Sequence, residues 1–219
     1  MIRGLVLRGD GKSGYTLDLL GGIHPFAAAG VKMPATPTVT GLWPSGDMTR
    51  GIVLRSDGRS GYTLDLLGGI HPFAIPGAQM PSTPTVTGFW SSGDMTRGIV
   101  LRSDGLTGYT LDLLGGVHPF AVPGVQMPPT PTVTGYWTSG DMTRGLVLRS
   151  DGTTGYVLDL NGGIHPFAAP GVPMPVVHSL SQVWPGQDVA RGIAFEQNLA
   201  MPNGTGLDVS VDGKFAYFS

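Results

Sequence analysis

An arginine followed by glycine and an aliphatic residue stands at Arg3, Arg50, Arg97, Arg144 and Arg191, always 47 residues from the last. The stretches Arg50–Thr96 and Arg97–Thr143 differ at only 8 of their 47 positions. Within each unit lies the string GYTLDLLGGIHPFA. It runs from Gly14 to Ala27, repeats at Gly61–Ala74, and returns with small changes at Gly108–Ala121 and Gly155–Ala168. A unit of this length is one supersecondary motif that cannot bury its faces alone, so copies must stack on one another. The fifth copy has diverged. It keeps the opening Arg191–Phe195, takes a short insertion, resumes at Gly206, and covers 29 residues against the period of 47.

Inside one unit every local signal is β. Gly51–Arg55 is a short apolar run closed by the turn residues Ser56-Asp57-Gly58. Gly61–Asp65 alternates, with Tyr62 and Leu64 on one face and Thr63 and Asp65 on the other. Gly68-Gly69 suits a tight turn that needs positive φ. Ile70–Ala74 reads as a third strand, and Pro72, lacking an N–H, belongs toward an edge. After the Pro-rich loop Pro76–Pro84, Thr85–Trp90 reads as a fourth strand of the same unit. No window carries helical spacing free of Gly and Pro, so helix is expected to be nearly absent.

Four short strands every 40–50 residues or so is the arithmetic of a propeller blade. The expected fold is therefore all-β, a single five-bladed β-propeller over residues 1–219. Its blades would run 3–49, 50–96, 97–143, 144–190 and, as a partial blade, 191–219. That last blade is expected to hold three strands and to lack its outer one. Either inner packing suffices there, or a partner chain supplies a strand, or the chain is a piece of something longer. A monomer or a strand-sharing oligomer through the incomplete fifth blade follows as the expected assembly.

The unit resembles propeller repeats of the NHL and YWTD type at Tyr62, Asp65, Gly68, Ile70 and Phe73. The fuller pattern, GY-x-LD-x-x-GG-(I/V)-HPF with W-x-x-G-D-x-x-RG, is similar to repeats found in actinobacterial exported proteins. That resemblance implies a propeller blade and an extracellular or cell-surface setting, and no settled activity. Five units of 47 also resemble the tachylectin-2 family of five-bladed sugar-binding propellers, in period alone.

Bulk composition narrows the function classes. A net charge of −2, with ten arginines and three lysines spread along the chain, makes no basic field for nucleic acid or anionic lipid. No apolar run approaches the roughly 20 residues of a membrane helix, and Met1 leads into Arg-Gly-Leu without a signal-peptide pattern. With no cysteine, disulfides and thiolate metal sites are excluded.

Three sets of recurring residues are candidates for binding. Trp43, Trp90, Trp137 and Trp184 each precede an aspartate by four, at Asp47, Asp94, Asp141 and Asp188. An indole can stack on the C–H face of a sugar while a carboxylate accepts from its hydroxyls. The competing reading is structural: the indole fills space between blades, and each aspartate pairs with the arginine three residues on. That reading is the better supported, since the diverged fifth entry retains Trp184, Asp188 and Arg191. The second set is His24, His71, His118 and His165, one per unit, which could bind metal or anions. A hydrogen bond within the blade accounts for them more simply. His178 is out of register. Asp18, Asp65, Asp112 and Asp159 should tie down the Gly-Gly turn, and Asp10, Asp57, Asp104 and Asp151 the Asp-Gly turn.

The loop from Trp43 to Met48 and its copies is expected on the same rim as the Leu-Asp-Leu-Leu-Gly-Gly turn. No serine elbow, zinc-protease helix motif or cysteine nucleophile is present, and no calcium loop. Catalysis, a cofactor and a metal are therefore not expected. The leading function is a multivalent, lectin-like binding module. The alternative is a structural or protein-interaction scaffold with no small-molecule ligand.

Overall fold

The computed structural model describes residues 1–177, 183–195, 207–211 and 214–218. His178, most of the fifth-unit insertion and the Asn203-Gly204-Thr205 sequon lie outside the described residues. The chain separates into two compact units, Met1–Thr110 with His118–Pro128, and Leu111–Val117 with Pro129–Ser219.

Among the described residues the secondary structure is entirely β. In the first unit, β1 (Ile2–Leu7), β2 (Ser13–Asp18) and β3 (Ile23–Ala27) form an antiparallel meander. Then come β4 (Thr38–Val39), β5 (Thr49–Leu54), β6 (Ser60–Asp65), β7 (Ile70–Ala74), β8 (Thr85–Val86) and β9 (Thr96–Leu101). β10 (Thr107–Asp112) and β11 (Val117–Ala121) span the boundary between the units. The second unit holds β12 (Thr132–Val133), β13 (Thr143–Leu148), β14 (Thr154–Asp159) and β15 (Ile164–Ala168). It also holds β16 (Ala190–Phe195), β17 (Leu207–Val211) and β18 (Lys214–Phe218), which pair in that order.

The strand orders β4-β7-β6-β5, β8-β11-β10-β9 and β12-β15-β14-β13 expose an offset that local sequence signals do not carry. The fourth segment of each repeat pairs with the third strand of the next repeat: Thr38 opposite Ala74 and Val39 opposite Phe73. The expectation of a long fourth strand within the same unit, over Thr85–Trp90, is corrected accordingly. Only Thr85 and Val86 pair, and their partners are Ala121 and Phe120. The 47-residue period stands; the sheet is shifted in phase against it. Pro72 explains the shortness. Its carbonyl faces the outer side and accepts from the Thr40 amide at 3.2 Å, and a ring nitrogen without a hydrogen ends the ladder there. Pro72 thus lies toward the outer side of its sheet, as expected.

Among the described residues two sheets have three strands and no outer one, β1-β2-β3 and β16-β17-β18. The equivalent segment that would border β18, residues 179–180, lies outside the described residues, as does any test of a missing outer strand there.

The opening arginines Arg3, Arg50, Arg144 and Arg191 are bulge residues. The register between β5 and β6 slips between Thr49 and Gly51, leaving Arg50 as the extra residue; Arg3, Arg144 and Arg191 do the same. The glycine after it lets the next sheet approach: a Cβ on Gly51 would lie 2.9 Å from Cγ2 of Ile99. Opening strands accordingly run side by side, β1 with β5 and β5 with β9, and β13 with β16. The core lies between such neighbours. Tyr15, Leu17 and Ile23 of the first sheet pack with Ile52 and Phe73 of the second, the Tyr15 and Phe73 rings edge to face at 6.4 Å. Tyr62, Leu64, Ile70, Ile99 and Phe120 repeat the cluster. These are propeller-like wedges, each apolar on both faces.

Candidate functional site

Two turns close opposite ends of each hairpin, and an aspartate organises both. At the Asp-Gly end, Asp57 Oδ1 accepts from the amides of Arg59 and Ser60 at 2.7 and 2.9 Å, and Oδ2 from the Ser60 hydroxyl at 2.7 Å. At the Gly-Gly end, Asp65 Oδ1 accepts from the amides of Leu67 and Gly69, each at 2.8 Å. Asp18, Asp112 and Asp159 hold the same two amides of their own turns. The roles expected for both sets hold.

The Gly-Gly end is where the candidate residues gather. The Trp43 amide donates to the Leu20 carbonyl at 3.0 Å and the Met48 amide to Leu19 at 2.9 Å, seating the Trp43–Met48 loop on the turn of its own repeat. Trp90 and Met95 do this with Leu67 and Leu66, Trp137 and Met142 with Leu114 and Leu113, and Trp184 with Asn161. The predicted common rim of these two loops is therefore present.

Each tryptophan is half-buried, and the rings of Trp43, Trp90 and Trp137 contact the histidine of the next repeat. Trp43 meets His71 edge-on at 5.0 Å, Trp90 meets His118 at 5.3 Å, and Trp137 meets His165 at 5.0 Å. The histidine in turn reaches its own hairpin: Nε2 of His71 donates to Oδ2 of Asp65 at 2.8 Å, and His165 to Asp159 likewise. Burial works against the charge on Asp159, but donation from His165 and the two amides outweighs it and holds the carboxyl below its ordinary value. Asp18 is held low in the same way, with His24 at 2.7 Å. The His–Asp pairs tie strand to turn, and Trp lies across the imidazole. Among the described residues, no three His, Cys, Asp or Glu side chains converge as metal ligands.

Asp47, Asp94, Asp141 and Asp188 belong to a second network. Arg50 donates from Nη1 to Asp47 at 3.1 Å, the pairing expected from sequence, and from Nε to Asp94, near the far end of its own 47-residue unit, at 2.7 Å. Arg144 joins Asp141 at 3.0 Å to Asp188, which it holds through Nε and Nη2. Arg3 holds Asp47 through the same two nitrogens. Donation from Arg3 keeps Asp47 below the ordinary carboxylate value, and Arg144 does so for Asp188; at Asp94, burial opposes and Arg50 with Arg97 prevails. The long-range half of this ladder, at a separation of 44 residues, is invisible to local sequence reading.

One feature of the rim was not picked out from sequence. The residue before each tryptophan is apolar and exposed: Leu42, Phe89, Tyr136 and Val183, with Phe89 61% and Tyr136 64% accessible. The available signal was a single register that changes size between repeats yet stays apolar beside a tryptophan present in all four. A comparison of the chain with protein-family models finds no match, and a comparison with curated protein sequences finds none either.

Proposed function

We propose that this protein is a non-enzymatic, multivalent binding module, a propeller of five 47-residue wedges that takes carbohydrate at repeated rim sites. The observation that carries the reading is the exposed apolar side chain recurring beside a half-buried tryptophan, with Phe89 and Tyr136 the largest. A pyranose offers an apolar C–H face to such a ring, and its hydroxyls can reach the exposed, ionised carboxylates of Asp94 and Asp141. Weak contacts at successive sites gain strength on a repetitive glycan through effective concentration. His71, His118 and His165 contribute by fixing the tryptophans and not by touching ligand.

A glycan array followed by calorimetry tests the reading. The expected result is saturation at about four sugar units per chain, one per tryptophan, with loss of binding in Phe89→Ala and Tyr136→Ala chains that melt as the parent does. An array without hits, or hits unaffected by those changes, leaves the scaffold reading. That alternative draws on the tryptophans and aspartates being engaged already in joining neighbouring repeats.

A further inference from the structure

Among the described residues, three sheets carry a segment of the preceding repeat along the outer side of their third strand, and the first sheet carries none. On β7 this segment is Thr38–Trp43. Thr38 and Val39 pair with Ala74 and Phe73, and the amide and hydroxyl of Thr40 both donate to the Pro72 carbonyl, at 3.2 and 3.0 Å. Gly41 lies against the His71 ring, where a Cβ would fall 2.6 Å from Cγ, and the Trp43 edge meets the same ring. β11 holds the segment beginning at Thr85 in the same register, with Gly88 at 2.5 Å from Cγ of His118 by the same measure. β15 holds the one beginning at Thr132, with Gly135 at 2.3 Å from His165. In each case only glycine fits over the imidazole.

β3 has the sequence of β7, Ile-His-Pro-Phe-Ala, and pairs with β2 in the register by which β7 pairs with β6. The receptor is thus formed. Asp18 holds the His24 ring at 2.7 Å, in the position that Asp65 gives His71. What differs is cover. His24 is 58% exposed against 27% for His71, and Phe26 is half-buried where Phe73 is fully buried. An unpaired strand edge of this kind is a template for a further strand.

We propose that the outer side of β3 binds an extended segment of the form Thr-Val-Thr-Gly-apolar-Trp, carried by another polypeptide built of this same repeat. Main-chain pairing along Phe26 and Ala27 supplies affinity. Specificity comes from a threonine on the Pro25 carbonyl, a glycine over His24 and an indole edge on its ring. The inference rests on the sheet edges and not on the rim side chains, so it stands or falls separately from the carbohydrate reading.

The test uses the full chain and a dye-labelled peptide of residues 84–92, followed by fluorescence anisotropy. Saturation at one peptide per chain is expected, with the Gly88→Ala peptide bound about tenfold or more weakly, the scale of one lost contact. His24→Ala in the protein should weaken binding similarly, in a chain whose melting midpoint is unchanged. Should the chain be dimeric by light scattering, its conversion to peptide-bound monomer supports the proposal, since the second copy then holds the site. No saturable binding by folded chain overturns it, whether the edge rejects the segment or is filled by the chain itself. Equal binding of the Gly88→Ala peptide, or no effect of His24→Ala, also overturns it.

Discussion

The first and second sheets contain the same fourteen residues, Gly14–Ala27 and Gly61–Ala74, in the same hairpin register, yet they differ in what covers them. Leu5 on the opening strand of the first sheet is 61% exposed; its counterpart Ile52 in the second is 8% exposed. The face of the first sheet turned toward its successor is closed, with Tyr15 and Leu17 fully buried. Its other face and its outer edge are open. Hairpin geometry here follows from local sequence, whereas burial is conferred by the preceding repeat, which supplies Tyr and Leu to one face and a Thr-Val-Thr-Gly segment to the edge.

The largest consequence falls on the third-strand phenylalanine. Phe73→Ala should cost about 3–5 kcal/mol, the range for a fully buried aromatic, whereas Phe26→Ala should cost about 1–2 kcal/mol because less area leaves contact. Urea unfolding of the two variants measures both, and equal losses would break the contrast. Gly41→Ala comes next. The Cβ would collide with His71, so a loss of about 1–3 kcal/mol is expected, against little change for Gly9→Ala, where nothing lies within 4 Å.

The arginine ladder should show a smaller difference. Arg50 is nearly buried and bridges two carboxylates; Arg3 is more exposed and holds Asp47. Arg50→Ala is expected to cost about 1–2 kcal/mol through lost charged hydrogen bonds, and Arg3→Ala about 0–1 kcal/mol, as for exposed pairs. Both can be read from denaturant midpoints.

Acid should act on the Asp-Gly turns of both sheets alike. The Ser13 hydroxyl, with the amides of Lys12 and Ser13, lowers the Asp10 carboxyl from 3.8 to about 2. At Asp57 burial opposes, and the Arg59 amide and the Ser60 groups prevail, again lowering it. A carboxylate held low in the folded chain stabilises it above its unfolded pKa, and that contribution disappears as pH falls through the folded value. Melting midpoints should therefore hold above about pH 4 and decline toward pH 2, with a shallower decline in Asp57→Asn. A decline already complete at pH 5 would contradict the turn assignment.

Much of this was legible in the residues. The period, the β-only content and the turn roles of Asp57 and Asp65 all rest on local chemistry, which a sequence displays. The partner of Thr85 and Val86 was not legible, because a Thr-Val pair reads the same whichever sheet it joins. Pairing ends after Val86 because Pro119 turns a carbonyl but no N–H toward it, and because Gly88 must lie on His118. The same limit hid the Arg50–Asp94 bond. Tryptophan was singled out from the sequence, but its exposed neighbours Phe89 and Tyr136 escaped notice, since an apolar residue in a β-rich stretch is ordinarily taken for core.

The central claim is that the second, third and fourth sheets each take their outer strand from the repeat before. The chain has no cysteine, so disulfide trapping reports on that directly. A Thr38→Cys, Ala74→Cys chain should cross-link fully under mild oxidation, and a Thr38→Cys, Ala27→Cys chain should stay reduced. Cross-linking of the second pair and not the first would place the segment on its own repeat's sheet and contradict the account.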